Sequence, residues 1–246
     1  MKRQILYEDN HLLVVSKRAG ALVQGDRSGQ PSLQQELKCY LKERDQKPGK
    51  VYLGIVHRLD KPVSGVTIFA KTSKAAGRLC RLFREKQIDK LYCALSYPGP
   101  GSDQQTPSWQ KEHTFLRRIK DKTVVCRPEA AGAQEAMLCQ KIVRWDSHWL
   151  HIIRLITGRK HQIRAQLAAG GQPIIGDLKY GETTVTPDGG IRLHAFCCGF
   201  RHPVGNQPLA IYSAPPRVFL EALRNQEQRL LLEHVAAHCN ELRGAR

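Results

Sequence analysis

Apolar residues recur along the chain in two rhythms, at alternate positions and at the three-to-four spacing of a helix, and the switches between them divide it into elements. Residues 5–7 and 12–15 predict a strand pair around the polar turn Glu8-Asp9-Asn10-His11. Lys17-Arg18-Ala19-Gly20 breaks that run. Leu33, Leu37, Tyr40 and Leu41 repeat at helical spacing behind Pro31 and Ser32, which predicts an amphipathic helix to about Asp45. Residues 51–55 and 66–70 are β-branched or aromatic enough for short buried strands, and the polar stretch between them is punctuated by Pro62, Ser64 and Gly65. Thr72 or Ser73 can cap a second helix, with Ala76, Leu79, Cys80 and Phe83 on one face. Residues 90–96 alternate as a strand that points Tyr92 away from the face of Leu91 and Cys93. Residues 97–107 are loop-like, and we read them as a long surface excursion within one domain. Residues 136–145 and 149–156 bracket Asp146-Ser147-His148 as a hairpin. Residues 157–171 then predict a strand end, a tight turn and a short helix that stops at Gly170-Gly171, with Ile163 and Leu167 buried and His161 and Arg164 on another face.

Charge changes the picture. Lys and Arg number 39 against 22 acidic residues, a net +17 over 246 residues, which points to a polyanionic partner, nucleic acid before an anionic membrane. No 18-residue apolar run exists, and Met1-Lys2-Arg3-Gln4-Ile5 lacks the apolar core of a signal peptide, so no membrane association and a cytoplasmic location are expected. The second helix presents Lys74, Arg78, Arg81, Arg84 and Lys86 on its other face, either a solvated surface or a phosphate-facing one. Eight cysteines without a C-x-x-C spacing predict reduced, mostly buried thiols. His234 and His238 stand at i, i+4 but have no third ligand nearby, so no metal site is expected.

Two stretches carry candidate chemistry. In the loop of residues 56–65, Asp60 is flanked by Arg58 and Lys61, a setting that suits a nucleophile, a base or an electrostatic anchor better than a proton donor; the alternative is an Asp that caps a turn. In residues 157–171, the planar fork of Arg164 can reach a carboxylate on a neighbouring loop; the alternative is a surface helix ion pair.

The segments VHRLDKPVSGV, KLY, TGRKHQIRAQL, PIIGDLKYG and RLHAFCCGFRHP, in that order, resemble the successive motifs of the RluA-type RNA pseudouridine synthases, and the opening ILYEDNHLLVVSKRAG resembles that family's start. The resemblance runs from about Ile5 to Ser213. Val63-Ser64-Gly65 stands where the family often has Thr-Ser-Gly, and Lys17-Arg18 where it has Lys-Pro. The resemblance implies an α/β (α+β) fold with a mixed, largely antiparallel central sheet, flanking helices and a central active-site cleft. It places a catalytic domain at residues 1–216, a C-terminal helical extension at 217–246, and no separate S4 domain.

The implied reaction isomerises uridine in an rRNA or tRNA stem-loop to pseudouridine, needs no cofactor, and agrees with the absence of a Walker loop or G-x-G-x-x-G. By the same resemblance Asp60 is the essential carboxylate, Arg164 pairs with it, and Tyr92 stacks on the uracil. Arg58 fills the space left by the flipped nucleotide. RNA contacts are expected from Arg58, His57, Lys61, Arg159, Lys160 and His161, with His57, His161 and His194 also hydrogen-bonding within the structure near the cleft. A monomer is the simpler expectation. The rival readings are a catalytically inactive RNA-binding homologue, a base-releasing glycosylase, and a ribosome-associated module without enzymatic function.

Overall fold

The structure is a computed structural model that describes residues 4–26, 29–98, 106–145 and 147–217. The apolar run at residues 12–15 lies within strand β2 (Leu12–Lys17), which pairs antiparallel with β1 (Ile5–Glu8). Asp9 Oδ1 closes their turn by accepting the amides of His11 and Leu12, both at 2.7 Å. On its other edge β2 pairs antiparallel with β4 (Ser64–Ala70), a strand buried at every residue. Both faces of these strands are covered, which is why their sequences run apolar without alternation. Leu13, Val15 and Phe69 face helix α1 (Leu33–Arg44) through Leu33, Leu37 and Leu41. Leu12, Val14, Val66 and Ile68 face α2 (Ser73–Arg84) through Ala75 and Leu79.

The helix starts follow the capping chemistry. Ser32 and Gln35 form a reciprocal capping box on α1, and the Thr72 hydroxyl accepts the Ala75 amide at 3.2 Å on α2. Two details depart from expectation. Cys80 is exposed, because the stripe of α2 that meets the sheet runs through Ala75 and Leu79, flanked by Ala76, Leu82 and Phe83. The strand expected at 51–55 shortens to β3 (Gly54–Ile55), since Leu53 turns into the cluster under α1.

The remaining strands are β5 (Asp89–Ser96), β6 (Thr106–Ile119), β7 (Lys122–Cys126), β8 (Gln134–Trp145), β9 (His148–Leu155), β10 (Leu193–Arg201) and β11 (Pro208–Tyr212). The sheet runs β1-β2-β4-β10-β5-β9-β8-β6-β7, with β11 on β10 and β3 on β4. Among the described strands β4–β10 is the one parallel pair, so the sheet is mixed and largely antiparallel, as the sequence predicts. One face of its centre packs Leu91, Cys93, Leu150, Ile152 and Phe196; on the other, Ala94, Ile153, Leu155 and Leu193 meet Ile163 and Leu167 of α3 (Gln162–Ala169).

The parallel seam needs a glycine. Gly65 has φ +122°, and a Cβ there would fall 2.2 Å from the Ala195 carbonyl oxygen and 2.5 Å from its nitrogen. This approach fixes where the loop of residues 56–63 leaves the sheet. The thiols correct another expectation. Of the seven described, none of them in a disulfide, Cys93, Cys197 and Cys198 are buried, whereas Cys39 and Cys80 are exposed and Cys126 and Cys139 half-buried. Among the described residues no helix is long and apolar enough to cross a membrane. The excursion at 99–105, His234, His238, Cys239 and nearly all of the expected C-terminal helix lie outside the described residues.

Candidate active site

A cleft of 920 Å³ opens over the sheet centre, lined by the loop after β3, Tyr92 of β5, Leu155 of β9, Leu193 of β10 and the turn into α3. Asp60 sits on its floor with a side chain 28 % exposed. Its carbonyl accepts the Val63 amide at 3.1 Å, and the next carbonyl, of Lys61, accepts the Gly20 amide at 2.8 Å, so the loop is tied both to itself and to the segment after β2.

Arg164 is not on a surface helix. Residues 162–167 of α3 are all buried, and the Arg164 side chain is 5 % exposed. The polar residues here have partners, although Gln166 Oε1 has none among the described residues: Gln162 Oε1 lies 2.8 Å from Thr157 Oγ1, and Gln166 Nε2 donates to Thr114 Oγ1 at 3.1 Å. Arg164 Nε and Nη2 donate to the two oxygens of Asp177 at 2.6 and 2.7 Å, a bidentate pair, while Nη1 donates to Asp60 Oδ2 at 3.1 Å. Its guanidinium carbon also lies 4.9 Å from the centre of the Tyr180 ring. Burial opposes the charge on Arg164, but Asp177, and less strongly Asp60, outweigh it and hold the guanidinium more firmly protonated than usual. The surface ion-pair alternative therefore falls.

Asp177 is a site residue that sequence reasoning missed. It is 1 % exposed and precedes a 3-10 turn (Leu178–Tyr180) that ends on Gly181 at φ +105°. Its signal was an Asp enclosed by apolar residues and glycines in PIIGDLKYG. Lys17 was missed too, read only as the start of the break after the first strand pair and as part of the family's opening motif. It is 1 % exposed, and its ammonium donates to the carbonyls of Arg18, Ala21 and Lys61 at 3.0, 2.8 and 3.1 Å. Burial pulls its pKa down to about 8, and the nearby Asp60 works the other way.

Tyr92 lines the cleft where its alternation with Leu91 and Cys93 predicts. Burial, then Cys198 and Asp60, push its hydroxyl well above the usual phenol range, so it stays neutral. Arg58, Arg159 and Lys160 are exposed on the rim. Arg58 Nη1 reaches Gln24 Oε1 at 3.3 Å, and Arg159 Nε donates to the Glu135 carbonyl at 2.9 Å. Arg84, Lys86, Lys90 and Arg118 also line the cleft, so the C-terminal end of the basic face of α2 points at it. Arg78 does not, because its Nη1 donates to the Pro203 carbonyl at 2.7 Å.

Lys61 lies away from the cleft lining and donates to Gln30 Oε1 at 2.9 Å. His57 lines the cleft, but its Nε2 accepts the Ile68 amide at 2.9 Å and its ring stacks on Phe83 at 4.9 Å. Burial, with help from Lys90, pulls its pKa to about 4, which leaves an uncharged ring held inside the structure. His194 likewise bridges Ser64 Oγ at 2.8 Å and the Ser213 carbonyl at 2.9 Å. His161 lies between Asp60 and Tyr180, its Nε2 3.6 Å from Asp60 Oδ2 and its Nδ1 2.8 Å from the Tyr180 hydroxyl. Among the described residues, no three His, Cys, Asp or Glu side chains are grouped to hold a metal ion.

Comparison with known proteins sets this geometry in a family. Residues 11–169 match the family model described as RNA pseudouridylate synthase. The tRNA pseudouridine synthase C of Pasteurella multocida is 31% identical over 243 residues, covering 91% of this chain and 96% of that protein. The ribosomal large subunit pseudouridine synthase D of Xylella fastidiosa is 32% identical over 235 residues, covering 89% of this chain and 68% of that one. Among solved structures, human RNA pseudouridylate synthase domain containing 4 superposes with a TM-score of 0.73 at 26% identity, over 91% of this chain and 94% of that one. A match this long, to relatives this similar, makes the chain a member of the RluA-type RNA pseudouridine synthase family, the enzymes that isomerise uridine within RNA.

Proposed function

We propose that this chain modifies uridines of ribosomal or transfer RNA, the two classes named in its relatives, with Asp60 as the reacting carboxylate. The observation that carries the reading is the state of Arg164. Two of its three donor directions are taken by Asp177, so its remaining Nη1 is left to hold Asp60 by one oxygen over an open cleft. A carboxylate so held can act at the sugar, as nucleophile at C1′ or base at C2′. The N1–C1′ bond breaks, the uracil turns, C5 bonds to C1′, the C5 proton leaves to solvent, and the freed N1 takes a proton up from it. No oxidant or phosphoryl donor enters the balance, so the reaction requires no cofactor.

Tyr92, neutral and packed beside Asp60, supplies a flat apolar wall for the uracil. Flipping the nucleotide out of its stack costs a few kcal/mol. Arg58 at the mouth is placed to occupy the gap, and Arg159, Lys160, Arg84 and Lys86 offer cations to the phosphates around it. His161 contacts RNA only from the floor of the cleft, and Lys61 supports the loop from outside it. The basic composition supports an enzyme that works on RNA, in our reading as a cytoplasmic monomer.

The test is tritium release from transcripts of tRNA and large-subunit rRNA labelled at uridine C5, comparing wild type with Asp60→Asn. Release by the wild type alone, without free uracil, is expected. Release accompanied by free uracil means a glycosylase, and binding without release means an inactive homologue.

A further inference from the structure

His161 occupies a position that its backbone does not favour. It stands just before α3 with φ +52° and ψ +23°, the left-handed region, and it makes no side-chain cap to the helix although it holds the N-cap position. Strain of this kind persists where surrounding contacts fix the residue. Here the imidazole is engaged at both nitrogens. Nδ1 lies 2.8 Å from the Tyr180 hydroxyl, whose ring stands edge-on to the imidazole at 5.7 Å, and Nε2 faces Asp60 Oδ2 at 3.6 Å.

The Tyr180 oxygen decides the tautomer. It receives the Thr123 amide at 2.9 Å, which favours giving its own phenolic proton to Nδ1, 2.8 Å away. Nδ1 is then an acceptor, and Nε2 carries the proton. We propose that Thr123, Tyr180 and His161 form a relay of positioning residues which presents Nε2–H to the oxygen of Asp60 that Arg164 already holds, leaving the other oxygen for the substrate. This rests on the reading of Asp60 as the reacting carboxylate. At 3.6 Å the contact is open in the unliganded cleft, and it closes to a hydrogen bond when the nucleotide enters.

Burial, with the surrounding cations, keeps the imidazole neutral. Burial comes first in lowering its pKa, Asp60 opposes, and Arg164, Lys160 and Lys179 add to the lowering. Lys122 lies over the Tyr180 ring behind it, and Asp121 pairs with Lys179. A neutral donor orients the carboxylate without adding a second cation to the one Arg164 supplies.

The experiment compares Tyr180→Phe, His161→Asn and Asp60→Asn in C5 tritium release at pH 6.0 and pH 8.5. Asn tolerates the left-handed backbone, so His161→Asn tests the imidazole rather than the turn. In Tyr180→Phe the ring, still held neutral by its burial and by the neighbouring cations, loses its tautomeric anchor at both pH values. The expected result is a kcat loss of about tenfold at both pH values, with KM unchanged, the scale of one hydrogen bond to a charged group. His161→Asn should lose about tenfold at both pH values. Activity in Asp60→Asn would overturn the reading of Asp60 itself. Loss of activity in Asp60→Asn, with kcat of Tyr180→Phe within about threefold of the wild type, would overturn the relay alone. A measurement on the wild type stands apart from activity. In protein labelled with 15N-histidine, the ring signals absent from His161→Asn should show a protonated Nε2 and a bare Nδ1 at neutral pH, and the opposite tautomer refutes the relay.

Discussion

Asp177→Asn tests the central ion pair without touching the carboxylate at which chemistry is proposed. The change keeps the side chain's size but removes the negative charge from a residue 1 % exposed, and its amide turns a donor toward Arg164 Nε or Nη2 where two acceptors stood at 2.6 and 2.7 Å. A guanidinium 5 % exposed is then left with Asp60 as its nearest counter-charge. Breaking a buried pair from one side costs about 3–5 kcal/mol. For a chain of this size that corresponds to a fall of roughly 6–20 °C in Tm. Urea titrations of wild type, Asp177→Asn and Asp60→Asn separate the roles. Asp60 is 28 % exposed and makes one bond to Arg164, so its neutral variant should lose no more than about 1 kcal/mol while losing activity. Replacing the pair together, Arg164→Met with Asp177→Leu, should recover most of the stability and none of the activity. A loss below about 1 kcal/mol in Asp177→Asn would refute the view that this pair is what keeps Arg164 buried and aimed.

Three further outcomes follow from other parts of the molecule. Gly65→Ala combines a left-handed backbone with a Cβ 2.2 Å from the Ala195 carbonyl oxygen, so it should lose about 3 kcal/mol or more in urea unfolding; a variant within about 1 kcal/mol of wild type would show that the seam can shift. Burial lowers His57 and His194 to about 4 and His151 to about 3 from 6.5, so the unfolded chain binds more protons and stability is lost as pH falls from 6.5 toward 4, at a slope approaching roughly 1.4 kcal/mol per pH unit for each. A urea midpoint that stays flat from pH 7 to 4.5 would contradict the neutral burial of these rings. Arg159→Ala with Lys160→Ala should weaken RNA binding and lower the salt slope of log Kd by about 2, with no change in Tm; an unchanged slope removes the rim from the phosphate contacts.

What the sequence made legible is uneven, for physical reasons. Residues 12–15 and 66–70 are covered on both faces and so announce themselves as apolar runs, and Leu33, Leu37 and Leu41 mark one buried helix stripe. The hairpin β6–β7 gives no such signal. Leu116 is its buried apolar residue, while Glu112 pairs across the strands with Gln140, which in turn reaches His151 Nδ1 at 3.0 Å and, through that ring, Ser96. A strand held by polar partners on other strands has no periodicity of its own. Asp60, Tyr92 and Arg164 were legible through their motifs, and the structure brings them to one cleft. Asp177 and Lys17 were not, because each acts through a partner distant in sequence that no local pattern reveals. His57 and Lys61 lie beside Asp60 in the same motif, yet one turns inward and the other away from the cleft.

The parallel seam between β4 and β10 also dictates when the enzyme can become one. Ser64 and His194 are paired across 130 positions of chain, so at translation rates of roughly 5–20 residues per second about 7–26 s separate the synthesis of the first from that of the second. Until then β4 has an open edge, Gly65 has no backbone to approach, and the loop bearing Asp60 lacks the Ile191 amide that donates to the Pro62 carbonyl at 3.1 Å. The nascent chain can fold β1, β2, α1, α2 and β4 as an early unit, but it must wait for a late strand to close its active site. The active site is therefore completed all at once, only after β10 has been made, and the waiting edge of β4 is where a chaperone has most to protect.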